Sequence, residues 1–484
     1  MSDQLDHTHL LSVARELNMS QRIPVQQINP KVTAKASSSF GKSIVTRSYQ
    51  GLFRNIRIYS TALLLALFFV TVWFEWEGRQ AVLWDLAGGK FYILGATFWP
   101  QDLILLSALL IISAFGLFFL TVLAGRIWCG YSCPQSVWTW IFLRIEHITE
   151  GERHQRIKLD TASWSLQKIL RRAAKHSLWL IVSAVTALTF VGYFTPIREL
   201  SLDLLAFSVG GLSLFWLAFF TAATYLSAGW LREQVCLHMC PYSRFQSVMF
   251  DDSTLLVSYD SHRGENRGAR KKTSDPKQLN LGDCIDCTLC VQVCPTGIDI
   301  RDGLQLACIS CGACVDVCND VMQQMGYAPN LISYTSERAL AGQPTEWLRP
   351  RLLGYAATLI LMLGGLSWGL ENRSLVSLDV SKDRLMFREN NAGQIENMYL
   401  LKIINKTQHS QEYRISMQGP NSLALSAPKK VQLSAGEIAT VAVTVSQLDT
   451  AAGGLTPLNF TVASTTQDNI SSSSASNFTS PLVR

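Results

Sequence analysis

Charge is scarce in this sequence: Asp, Glu, Lys and Arg together make up 16% of its 484 residues, against 48% hydrophobic residues. That balance is too apolar for an ordinary soluble protein of this size, and the apolar residues are gathered into long blocks, as in membrane proteins. Histidine is missing from the core of every long block, with His176 and His238 at edges, which argues against an intrinsic b-type haem. No G-x-G-x-x-G stands in a strand–helix setting, so flavin or NAD binding has no support. No short apolar run with a cleavage site stands near the start, and no removed signal peptide is expected. The run ASSSFGKS, Ala36 to Ser43, ends like a phosphate-binding loop. Ala36 replaces that motif's first glycine and no apolar strand precedes it, so a flexible polar tail is the better reading.

Five blocks are long enough to cross about 30 Å of hydrocarbon as helices. They run near Ile56–Trp76, Asp102–Gly125, Ser177–Thr195, Leu205–Trp230 and Leu352–Leu370, with Trp73, Trp76, Trp99 and Trp230 as interfacial aromatics. The formal charge of +6 is concentrated beside these blocks, which marks topology and not nucleic-acid binding. Lys31, Lys35, Lys42, Arg47, Arg54 and Arg57 precede the first span. Arg126, Arg144, Arg153, Arg156, Lys158, Lys168, Arg171, Arg172 and Lys175 fill the second loop, whereas Glu77–Gln101 holds only Arg79 and Lys90. The positive-inside rule puts the N-terminus in the cytoplasm, and an odd number of spans puts everything after Leu370 outside. All twelve cysteines then face a reducing compartment, where thiols stay free for metals, and none follows Cys318.

Eight of those cysteines form two runs, CIDCTLCVQVCP from Cys284 and CISCGACVDVC from Cys308. Both carry the C-x₂-C-x₂-C-x₃-C spacing of bacterial ferredoxins with two 4Fe-4S clusters, where the fourth cysteine serves the other cluster. Cys284, Cys287, Cys290 and Cys318 are thus expected on one cluster, and Cys308, Cys311, Cys314 and Cys294 on the other. Zinc also takes four thiolates, but zinc sites rarely repeat this spacing twice. Asn319 stands where a proline often follows the last cysteine, which bears on the local turn and not on ligation. The implied chemistry is one-electron transfer, at potentials that span roughly −700 to +450 mV among such clusters.

The remaining cysteines sit in matching contexts, AGRIWCGYSCPQSVW (Ala124–Trp138) and AGWLREQVCLHMCPYSRF (Ala228–Phe245). Each follows a span and shares C-x₃-C-P-x-S-x-aromatic, which reads as an internal repeat of two spans plus a cysteine hairpin. Cysteines at i and i+4 would share a helix face, and Pro134 and Pro241 would start the next helices. Cys129, Cys133, Cys236 and Cys240 could meet at the membrane surface and hold Cu(I), zinc or an iron–sulfur centre. The alternative is that they are small buried residues packing helix ends. Gly130, Tyr131 and Ser132 replace His238 and Met239 in the first pair, which argues against ligand roles for those two.

At these residues the chain resembles the cytochrome c oxidase accessory proteins of the CcoG/FixG (RdxA) family over essentially its full length. The C-x₃-C-P pairs alone are less specific, since membrane subunits of the NapH and NosR kind share them. The resemblance implies a multi-pass protein of the bacterial inner membrane that serves cbb-type oxidase assembly. It implies Cu(II) reduction by a metalloreductase, with the ferredoxin insert passing electrons to copper near Cys129, Cys133, Cys236 and Cys240. The partners implied are oxidase assembly factors and copper chaperones or transporters, while the electron donor is unknown. The alternatives are a quinol-linked conduit to a partner reductase and a non-redox assembly scaffold.

After Leu370 come LLKIIN, EYRISMQ, LALSAP, KKVQLSAG, ATVAVTVSQ and LNFTVAS, alternating runs that predict an antiparallel sandwich. The family's immunoglobulin-like outer domain fits this pattern, and the closing NISSSSASNFTSPLVR is expected to be loose. The expected fold class is an α-helical membrane protein of five spans with an inserted α+β ferredoxin domain and a C-terminal all-β immunoglobulin-like sandwich. Its divisions are a cytoplasmic segment (1–55), a four-span membrane domain (56–250), a two-cluster ferredoxin-type domain (251–350), a fifth helix (351–371) and a periplasmic domain (372–484).

Overall fold

The structure is a computed structural model that describes residues 44–481 apart from positions 77, 277, 384–386, 391–392, 449–453 and 468. The phosphate-loop-like run and the lysines at 31, 35 and 42 lie outside the described residues. Among those residues, five helices are long and apolar enough to cross a membrane: Leu52–Thr71, Leu103–Ala124, Leu166–Gly192, Gly211–Leu231 and Pro350–Glu371. Their leucines and isoleucines, such as Leu63, Ile104, Leu110, Ile181 and Leu361, point outward, as a lipid-facing surface requires. The first span stops at Thr71, short of the expected Trp76, because Glu75–Trp76 pairs back on Arg79–Gln80. The third starts at Leu166, ahead of the expected Ser177, where the Ser165 hydroxyl caps the Lys168 amide. The fourth ends in a π-helical segment, Tyr225–Leu231.

Some of the arginines that read as topology markers have a second job. Glu146, on the helix Pro134–Thr149, pairs with Arg156 and with Arg232 at 2.5 Å, and all three are buried. Glu150 takes Lys175 at 2.9 Å and Arg172 at 3.1 Å. This buried network ties the third span to both cysteine hairpins.

Between the fourth and fifth spans, Leu256–Tyr259 and Ile332–Thr335 form an antiparallel ladder that brackets the two cysteine runs. Val257, Ile300, Val315, Met322 and Leu331 make the core around them. After the fifth span come two antiparallel sheets that face each other as a sandwich. One is ordered Leu423–Ser426, Ile438–Gln447, Ile395–Asn405, Val376–Lys382; the other Val431–Leu433, Gln411–Gln418, Gly454–Ser464, Ser471–Ser480. Tyr399, Leu401, Tyr413, Phe460 and Phe478 fill the space between them. The expectation of a loose end is overturned: Ser471–Ser480 pairs with Gly454–Ser464 along its whole length. The sandwich is anchored on the loop before the second span, where buried Lys406 lies 3.0 Å and Arg373 2.9 Å from Asp102.

Candidate functional site

The two ferredoxin-type runs fold alike. Asp286 and Ser310 occupy the left-handed region at one equivalent position, and Thr288 and Gly312 at the next. A left-handed residue curls the chain so that flanking thiols turn toward one centre; Thr288 adopts it at a steric cost that Gly312 avoids. Short helices follow, Leu289–Gln292 after the first curl and Ala313–Met325 after the second.

The structure gathers the eight thiols around two cavities. One is walled by Cys284, Cys287, Cys290 and Cys318 with Arg301. The other is walled by Cys294, Cys308, Cys311 and Cys314, and Cys290 touches it too. Among the described residues no three metal-binding side chains converge on a point that suits a single ion. Zinc would need such a point, with bonds near 2.0–2.3 Å. A cubane instead keeps its thiolates apart on separate irons, so two sets of four cysteines, each set around its own cavity, fit 4Fe-4S clusters. Burial pushes the Cys290, Cys308 and Cys318 thiols up to about 12, so they are protonated until a metal centre displaces the protons. Cys287 is the one exposed thiol of the eight. Arg301 holds Asp299 at 2.6 Å and Asp286 at 2.5 Å, fixing the first run to the turn after it.

The membrane hairpins repeat as well, though not as helix faces. Cys129 lies in Ile127–Tyr131 and Cys236 in the π-helical Val235–Met239, but Cys133 and Cys240 are both extended. The expectation of thiols stacked at i and i+4 is corrected here. A proline disfavours helix at the preceding residue, so Pro134 and Pro241 force a break between the two cysteines of each pair. In both hairpins the second cysteine's amide reaches back five residues, Cys133 to the Trp128 carbonyl at 2.8 Å and Cys240 to Val235 at 2.9 Å.

The repeats also exchange contacts at equivalent positions. Gln135, just after Pro134, donates to the Ser227 carbonyl at the end of the fourth span (2.8 Å). Tyr242, just after Pro241, donates to the Leu117 carbonyl in the second span (3.2 Å). Cys129 Sγ faces Gln246 of the other repeat at 3.6 Å. Burial and then the Cys133 thiol push Cys129 up to about 11; burial, Cys133, Cys129 and Cys240 push Cys236 up to about 12. The four thiols are thus near enough to feel one another. His238 and Met239 are exposed, away from the buried side of the hairpin.

One cavity abuts the hairpins. Cys129 packs with Cys311, Ile309 and Val293 in a shared apolar cluster. Tyr131 donates its hydroxyl to the Cys311 carbonyl at 3.1 Å. Arg126, buried, joins all three parts: it donates to the Leu306 carbonyl, to Cys308 at 3.0 Å and to Ser243 of the second hairpin at 2.8 Å. Its positive charge bears on Cys129, Cys308, Cys236 and Cys240. In the sequence Arg126 reads only as a loop charge; its place one turn before Cys129 is the signal that it has a further role.

Three family models match this chain. A "4Fe-4S dicluster domain" covers residues 231–337, a "4Fe-4S binding domain" residues 106–139, and the "IG-like fold at C-terminal of FixG" residues 366–481. The middle match carries Cys129 and Cys133. Cysteine cages, apolar spans and these matches together define a membrane iron–sulfur electron-transfer protein with a C-terminal immunoglobulin-like domain. Protein RdxB of Cereibacter sphaeroides is 38% identical over 81% of this chain and 86% of its own. The nitrogen fixation protein FixG of Rhizobium meliloti is 35% identical over 78% of this chain and 79% of its own. The chain belongs to the FixG/RdxA/RdxB family. A FixG-related protein from Vibrio parahaemolyticus, known from a crystal structure, is 26% identical over 22% of this chain and 99% of its own, with a TM-score of 0.21.

Proposed function

We propose that this protein carries electrons across two 4Fe-4S clusters to copper held by thiols of the two hairpins that carry Cys129, Cys133, Cys236 and Cys240. There Cu(II) gains one electron and leaves as Cu(I) for assembly of a cbb-type oxidase in the bacterial inner membrane. Cys284, Cys287, Cys290 and Cys318 hold one cluster, and Cys294, Cys308, Cys311 and Cys314 the other. When bound, the clusters supply one-electron transfer. The observation that carries this reading is the packing of Cys129 on the Ile309–Cys311 turn, which joins the thiol hairpins to one of the two cysteine cages.

The chain's own residues do the rest. Arg126 holds the turn at Cys308 against the second hairpin and supplies positive charge between thiols that become thiolates. Soft thiolates favour Cu(I) over Cu(II), which makes the reduction easier at that place. Cys287, exposed, is the side from which an electron donor approaches. The N-terminus and cage-bearing region face the cytoplasm, so the sandwich faces the periplasm, where it meets assembly partners.

The test uses full-length protein with reduced clusters and Cu(II) as acceptor. Wild type is expected to reoxidise its clusters and form Cu(I); Cys236→Ser with Cys240→Ser is expected to keep both clusters and stop copper turnover. Normal turnover in that variant sinks the role given to the second pair. Quinol-dependent cluster reduction without any copper effect would point instead to a conduit for a partner reductase.

A further inference from the structure

Four arginines line a pocket in which the cysteines have no part. Arg47, Arg54, Arg57 and Arg144 line it with Tyr49, Trp140 and His147, and no aspartate or glutamate does. Arg57 is only 5% exposed, and the contact its Nη2 makes, to the Ser136 carbonyl, is long at 3.4 Å. The buried Tyr49 hydroxyl has the Arg57 side chain as its neighbour and makes no hydrogen bond of good geometry. Among the described residues, none of the four guanidiniums forms an ion pair; Glu152, in the neighbouring groove, is engaged by the Ser48 hydroxyl at 2.8 Å and lies 3.9 Å from His147 of the pocket.

The backbone fixes this arrangement. The Arg47 amide donates to the Gln292 carbonyl at 2.9 Å, and the Arg54 amide to Asp316 at 2.8 Å. Val293 and Pro295, on either side of Cys294, complete the wall. Arg57 is buried and Arg54 half-buried, while Arg47 and Arg144 are exposed at the rim; like charges gathered in this way repel one another, and the buried one also loses hydration, which costs stability unless an anion joins them. Forks from several directions need more acceptor oxygens than a carboxylate's two, and a phosphate group offers them.

We propose that this pocket is a receptor for a phosphate group, carried by a phospholipid headgroup or by a soluble phosphate ester. Arg57 sits near the start of the first span, the part of a spanning helix that meets lipid headgroups. The pocket also shares Arg47, Arg54 and Arg144 with a wider groove that runs past Leu289, Val317 and Tyr327 and carries Glu152, Asp316 and Asp320 as well, open to a soluble ligand.

The test compares wild type with Arg47→Gln/Arg144→Gln, two exposed positions outside both cysteine cages, with iron content and cluster absorbance as the check of folding. Inorganic phosphate is titrated into detergent-purified protein, and phosphatidylglycerol retained from nanodiscs is counted by native mass spectrometry. Expected are saturable phosphate binding weakened by high salt, phosphatidylglycerol retention, or both, each reduced about tenfold or more in the variant and partly restored by Arg47→Lys/Arg144→Lys. Retention that phosphate fails to displace assigns the lipid source; saturable phosphate binding without retention assigns the soluble one. Equal binding by wild type and the glutamine variant, or no binding of either ligand by wild type, overturns the proposal.

Discussion

Gly130 has no room for a side chain. A Cβ there would lie 2.8 Å from the Ile309 carbonyl oxygen and 3.0 Å from that of Ser310, both backbone atoms that cannot swing aside. Gly130→Ala is therefore expected to push the first hairpin off the turn that carries Cys311, at about 1–3 kcal/mol. Its mark would be slower cluster reoxidation by Cu(II) with iron content unchanged, measured by stopped-flow absorbance. Arg126 is the second residue on which this junction depends. Arg126→Met leaves the Cys308 and Ser243 carbonyls without their donor, and each hydrogen bond to a charged group is worth about 1.5–3 kcal/mol. Loss of that positive charge is also expected to lower the reduction potential of a cluster held by Cys308, read by spectroelectrochemistry; an unchanged potential would contradict the place given to Arg126. The cysteines were legible in the sequence because ligand spacing is a local property. Arg126 was not, because its partners Cys308 and Ser243 lie far along the chain and nothing near Arg126 names them.

At the scale of elements, the duplicated hairpins were legible and their geometry was not. C-x₃-C-P repeats openly, but reading it as one helix overlooked how a proline constrains the residue before it, so Cys133 and Cys240 turn out extended. Ser471–Ser480 went unrecognised for a different reason: six of its ten residues are serine, and apolar alternation is faint until Phe478. Its place comes from the ladder offered by Gly454–Ser464, a tertiary effect that local pattern does not contain. The helix Pro134–Thr149 is held by Glu146 between Arg156 and Arg232. Glu146→Ala leaves two buried cations short of a partner and is expected to cost about 3–5 kcal/mol. The check is the thermal unfolding midpoint with iron retention; a loss of less than about 1 kcal/mol would mean that water reaches this network.

For the whole molecule, the five spans and the change of pattern after Leu370 were legible because bilayer thickness and strand alternation impose lengths and periods. How the sandwich sits on the membrane part was not, since Asp102, Arg373 and Lys406 are single charges scattered along the chain. A double-mutant cycle with Asp102→Asn and Lys406→Met is expected to show a coupling of about 1–3 kcal/mol and faster hydrogen exchange across the loop from Lys90 to Phe98. The proposal that reaches furthest joins the two ends of the cysteine system: electrons would leave the cages through the hairpins, one of which packs on the Ile309–Cys311 turn. The most direct measurement mixes protein carrying fully reduced clusters with Cu(II) in a single turnover, for wild type and for Cys129→Ser/Cys133→Ser. One Cu(I) formed per electron lost by wild type, and no Cu(I) from the variant with both clusters intact, is the result expected. Equal rates in the two proteins would contradict it.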